Sequence, residues 1–157
     1  MRKVLISCLT IIFISCTGPK KTANINDAGA QSSANIIIVH TKMNAREAYQ
    51  KVGQILLERG YTFRHTSETF KSFSTEFTGI PPNGTDTPYV RIGVHIEGKQ
   101  NANVIIRGWY TTTTFMDTSF GDRIRKFGLN GSKRRTAWSE LFQVAKSIGD
   151  SLSYRVE

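Results

Sequence analysis

The residues of this chain best suited to meeting a charged partner lie in one run, "GDRIRKFGLNGSKRR", residues 121 to 135. It gathers Arg123, Arg125, Lys126, Lys133, Arg134 and Arg135 against one acid, Asp122. Six like charges within thirteen residues repel one another, so the cluster gains no stability from its own company. Attraction to an anionic glycan, a lipid headgroup or an acidic protein surface would give it a use. The competing reading is a solvated loop that leads into a helix.

Other chemistry finds little support. The three histidines, His40, His65 and His95, lie in no metal-ligand spacing, although His65 and His95 could meet across strands. No G-x-S-x-G or S-x-x-K marks a serine nucleophile. Glu47, Glu58, Glu68, Glu76 and Glu97 are scattered over different elements, whereas paired carboxylates for glycoside cleavage must converge. No glycine-rich phosphate loop is present. The expectation is a protein that is not an enzyme, with no metal and no cofactor. Trp109 and Tyr110 could form a stacking surface, but the neighbouring Val104 and Ile106 place that segment against a core.

The two cysteines, Cys8 and Cys16, both lie in the first sixteen residues. Arg2 and Lys3 precede an apolar stretch from Val4 to Ile14, which at roughly ten residues is too short for a membrane span of about 20. Small Ser15 then precedes Cys16, and the turn-forming Thr17-Gly18-Pro19 follows. That order resembles the lipobox of bacterial lipoproteins, with Phe13 in place of the usual Leu; "LISC" at Leu5 to Cys8 leaves almost no apolar run ahead of it. The resemblance implies cleavage before Cys16, a diacylglycerol on its thiol and acylation of the new amino terminus. Thr17 is not the Asp that retains many such proteins at the inner membrane. The family rule therefore implies a cell-envelope protein at the outer membrane, facing the periplasm. An ordinary cleaved signal and an uncleaved anchor are the alternatives.

Losing Arg2 and Lys3 with the signal takes the formal charge from +9 to +7. Nucleic acid is the usual partner of such a basic chain, but an exported, lipid-anchored domain rarely meets any, so none is expected. A mature domain without thiols must rely on its core rather than disulfides.

The elements that must position these residues are expected to divide into a signal (1–15), the lipidated Cys16 with a small, polar tether to residue 33, and one domain from 34 to 157. Seventeen tether residues have a typical end-to-end distance of roughly 20–25 Å and a contour near 55 Å. In the domain, Ile36 to Val39 reads as a buried strand. Asn44 and Glu47 form a capping box, with Met43 as staple. Ala45, Ala48, Tyr49, Val52, Ile55 and Leu56 recur at helical spacing, and Gly60 suits C′. "YTFRH" and "FKSFSTEFT" read as strands, the latter with Phe73, Thr75 and Phe77 on one face. "IPPNGTDTP" is a loop. "YVRIGVHIEG" sends Val90, Ile92, Val94 and Ile96 inward and Arg91, His95 and Glu97 the other way. "GKQNA" turns into "NVIIRGWYTTTTF". "TAWSELFQVAKSIGD" stripes Trp138, Leu141, Phe142, Ala145 and Ile148 along one helix face, and "SLSYRVE" adds a closing strand.

The expected fold is α+β, an antiparallel meander with both helices on one face, in the order β-α-β-β-β-β-α-β. Across residues 35 to 156 this order resembles the helix-grip domains of small outer-membrane lipoproteins such as the BamC type; no functional residue is carried over by it. Two function classes follow. The first is a non-enzymatic envelope module that binds a protein or assists assembly at the membrane. The second is a lipoprotein receptor or carrier for a small or polymeric anionic ligand. A deep apolar cavity behind the sheet would favour the second, and a filled core with an exposed groove the first.

Overall fold

A computed structural model describes residues 32–80, 88–112, 121–126, 132–149 and 151–157. The expectations for the signal, Cys16 and the tether up to residue 31 lie outside the described residues, as do most of the 80–88 loop and much of the Thr run after residue 112.

The described chain is α+β, as expected. Helix α1 (Ala45–Glu58) begins where local chemistry dictates. The Asn44 side chain accepts from the backbone N–H groups of Arg46 and Glu47, both at 3.0 Å, while Glu47 accepts from the Asn44 N–H at 3.1 Å. Such a cap is worth about 1 kcal/mol. The helix ends in a Schellman turn: Gly60, at φ +81°, donates to Leu57, and Tyr61 donates to Leu56. Only glycine enters that left-handed region without cost.

Strands β1 (Ile36–His40), β2 (Phe63–Ser67), β3 (Ser72–Thr75), β5 (Tyr89–Glu97), β6 (Asn103–Thr111) and β8 (Ser151–Arg155) order as β2-β3-β5-β6-β1-β8. Two-residue strands β4 (Thr78–Gly79) and β7 (Asp122–Arg123) pair with β5 and β6. All these pairings are antiparallel. From β2 to β6 the sheet is the expected meander, and β1 lies between β6 and the closing strand β8. Paired along both of its edges, β1 carries the apolar run Ile36-Ile37-Ile38-Val39.

Val90, Ile92, Val94 and Ile96 stand opposite Tyr110, Gly108, Ile106 and Val104, and this face carries the helices. Helix α2 (Lys133–Ile148) lays Trp138, Leu141, Phe142, Ala145 and Ile148 into it, the stripe the sequence predicts. Ile92, Val104, Ile106, Leu141 and Ala145 are fully buried, so the helix–sheet interface is packed with side chains. Both helices reach β5, and α2 also covers β1 and β6.

Phe77 departs from expectation. Ser74 pairs with Gly93 and Thr78 with Val90, so the β3–β4 side carries one residue more than β5 between the same rungs. This bulge reverses the alternation. Phe73 and Thr75 stay buried, while Phe77 crosses to the open face and stacks under Arg91, 4.2 Å from its guanidinium. His65 and His95, which the sequence allows to meet across strands, are not on paired strands. His65 stands opposite Ser74 and His95 opposite Ser72, with β3 between the two histidines.

Candidate functional site

Gly108 determines how the site is built. A Cβ there would lie 2.5 Å from Leu141 and 2.7 Å from Ile124, so only hydrogen lets α2 and the segment after β7 close onto β6. Ile124 donates its N–H to Gly108 (2.8 Å), and Lys126 donates to Ala34 (2.7 Å). The basic segment thereby lies beside the residues that lead into β1, and the first turn of α2 is brought to the same end of the sheet.

Helix α2 starts at Lys133, three residues before the expected Thr136. Ser132 is its N-cap, its side chain accepting the Arg135 N–H at 3.3 Å. Lys133, Arg134 and Arg135 are therefore the first helical turn rather than loop. Cations there oppose the helix dipole, an arrangement that costs a few tenths of a kcal/mol each, up to about 1, and favours an anion nearby.

A pocket of about 480 Å³ opens where these elements meet. Arg123, Arg125 and Arg134 line its wall, and Ser32 and Ser33 contribute from the chain entering the domain. Tyr110 and Asp122 form the remainder. The Tyr110 hydroxyl accepts from Arg134 Nε at 2.8 Å and donates to Asp122 at 3.4 Å. Tyr110 is 7% exposed, so it is a fixed post between an exposed cation and an exposed acid. Its hydroxyl, with help from Asp122, raises the pKa of Arg134 above the ordinary value. Arg134 is charged throughout.

Arg123 is held from a second side. Its guanidinium sits 5.9 Å over the Trp109 ring and pairs with the Glu157 carboxylate, which Arg107 also meets at 3.3 Å. Partial desolvation works against that carboxylate's charge, but Arg123 and then Arg107 outweigh it and hold its pKa below the ordinary value. The Glu157 N–H donates to buried Asn35 at 3.0 Å, which pins the segment next to the start of β1.

Of the six predicted cations, the fold brings three together. Lys126 is fixed by its backbone beside Ala34, Lys133 is half-buried in the helical turn, and Arg135 is exposed; none of these three lines the pocket. The residues the sequence did not assign to the site are Tyr110, Asp122, Ser32 and Ser33, with Arg107 and Glu157 at its margin. Asp122 was visible as the run's one acid, and Tyr110 as a candidate stacking ring. Ser32 and Ser33 read only as tether, and nothing local marked Glu157.

Among the described residues no cluster of three or more His, Cys, Asp or Glu side chains is placed to hold a metal. No described helix is long and apolar enough to cross a membrane. No known protein family matches this chain, and no curated protein does.

Proposed function

We propose that this protein is a non-enzymatic binding module of the bacterial cell envelope, held at the outer membrane by lipid on Cys16, with the arginine pocket as its working surface. The observation that carries this reading is the convergence of Arg123, Arg125 and Arg134 around one concave site. An isolated domain gains nothing by crowding cations at a helix N-terminus, whereas an anion bound there meets both the guanidinium forks and the helix dipole. The packed helix–sheet interface supports a ligand or partner that docks on the outside of the domain, rather than one held between sheet and helices. The pocket's concavity also favours the receptor variant of this reading, in which an anionic group enters the site instead of resting on a flat patch.

The test replaces Arg123, Arg125, Arg134 and Arg135 with Gln in protein held in phosphatidylcholine nanodiscs, then measures binding to anionic vesicles and to cell-wall fragments. The parent should bind at 0.1 M salt and lose most binding at 1 M, where the Debye length falls from about 10 Å to about 3 Å. The variant should bind weakly at both. Equal, salt-insensitive binding by the two proteins reduces the cluster to a solvated surface.

A further inference from the structure

We infer that the pocket recognises a phosphate monoester carried on a sugar or polyol; this rests on the pocket being the working surface proposed above. The charge count comes first. Arg123, Arg125 and Arg134 line the pocket against Asp122, three cations to one carboxylate, an excess of two; Arg107 and Glu157, outside the lining, offset each other. A monoester carries about −1.5 to −2 at pH 7 and cancels that excess, while one carboxylate leaves half of it. All three lining cations are arginines, whose planar forks suit two oxygens at once in a way that a lysine point charge does not.

The second observation is that the pocket is not uniformly basic. Asp122 is exposed on its wall, held by Tyr110 on the side towards Arg134. A carboxylate there repels a bare anion and accepts hydrogen bonds from a ligand's hydroxyls. The Ser32 and Ser33 side chains, also on the wall, can donate or accept. Tyr110 thus stands between a cation, Arg134, which meets the phosphate, and an acceptor, Asp122, which takes hydroxyls.

Size gives the third. The pocket holds about 480 Å³, within the range of roughly 300–1,000 Å³ typical of small-molecule sites. At roughly 30 Å³ per water-sized group it admits well over ten non-hydrogen atoms, far more than inorganic phosphate supplies.

Glu157 lies outside the pocket's lining but pairs with one of its arginines, Arg123. Its carboxylate already occupies Arg123 and Arg107, so Arg125 and Arg134 make first contact with an incoming phosphate.

The experiment titrates full-length protein in phosphatidylcholine nanodiscs with myo-inositol 4-phosphate, inorganic phosphate, myo-inositol and oligoglutamate by calorimetry. Inositol phosphate should bind at least tenfold more tightly than either phosphate or inositol. Arg125→Gln should weaken it tenfold or more, and Arg125→Lys, which keeps the charge and loses the fork, by an intermediate factor. Thermal melts check that these exposed-site variants fold. Asp122→Asn should split the probes, strengthening inorganic phosphate and weakening inositol phosphate. Nanodiscs that contain phosphatidylinositol 4-phosphate separate the sources. If soluble inositol phosphate no longer titrates there, the same headgroup on a membrane fills the site; if it titrates unchanged, the ligand is taken from solution. Equal affinity for phosphate and inositol phosphate, or an Asp122→Asn effect of one sign on both, overturns the sugar or polyol assignment. Arg125-dependent binding of oligoglutamate without inositol phosphate overturns the ligand class and leaves the anion-binding module standing. Binding of none of the anions overturns both.

Discussion

At the margin of the pocket the Glu157 carboxylate lies between Arg107 and Arg123, and its depressed pKa makes that contact sensitive to acid. A carboxyl more acidic in the folded state than its ordinary 4.5 contributes stability in full above that value, and loses the contribution as pH falls through the lower folded value. Comparing thermal melts of the parent and Glu157→Gln should therefore show a small gap at neutral pH that closes below pH 4.5. The gap should also shrink with salt, because the pair is partly exposed. A gap that persists unchanged into acid would show that the Glu157 carboxylate is not what holds the segment. This contact was illegible in the sequence. An isolated Glu after "SLSYRV" carries no pattern, and its partners come from β6 and β7. The arginines themselves were legible, because charge density is a property of composition. Their sorting into pocket-lining and outlying residues depends on the Gly108 contact and on where α2 starts.

Elements were legible where their signals are local. The capping box of α1 and its Gly60 terminus sit within a few residues of the backbone groups they satisfy, and both form as read. The start of α2 was missed because Lys133, Arg134 and Arg135 argue against a helix N-terminus electrostatically, and Ser132 has no acidic partner at N3 to complete a box. Strands β4 and β7 are two residues each and exist only through pairing with β5 and β6, so nothing in their own composition declares them. The bulge that moves Phe77 is likewise a property of the pair. The alternation of β5, by contrast, was fully readable and gives a clean test. Ile92 is completely buried under the helices, and Ile92→Ala should cost about 2–5 kcal/mol in a denaturant melt. Arg91, half-buried on the other face against Phe77, should cost about 1 kcal/mol or less when truncated. Similar losses from both would place the strand in the wrong phase.

On the scale of the whole molecule, the site lies at the end where the chain enters the domain. Ser32 and Ser33 line the pocket and are also the residues through which the chain enters β1. If Cys16 carries lipid, the arginines are the part of the domain nearest the tether's exit. A tether contour of about 55 Å then keeps them within reach of headgroups and cell-wall polymers. Weak individual contacts gain from that confinement, since a short flexible linker sets an effective concentration in the millimolar range. Two consequences separate. Cys16→Ser should abolish palmitate labelling and either release the protein to the soluble fraction or stall it uncut. It should also weaken binding to membrane-borne anions by 10²-fold or more, while leaving affinity for a free ligand such as myo-inositol 4-phosphate unchanged, because the pocket's own residues are intact. A Cys16→Ser protein that stays membrane-bound and normally cut, with no palmitate label in either form, removes the lipid anchor from the account. One that is released yet binds membrane-borne and free ligand as the parent does shows that anchoring adds nothing to recognition.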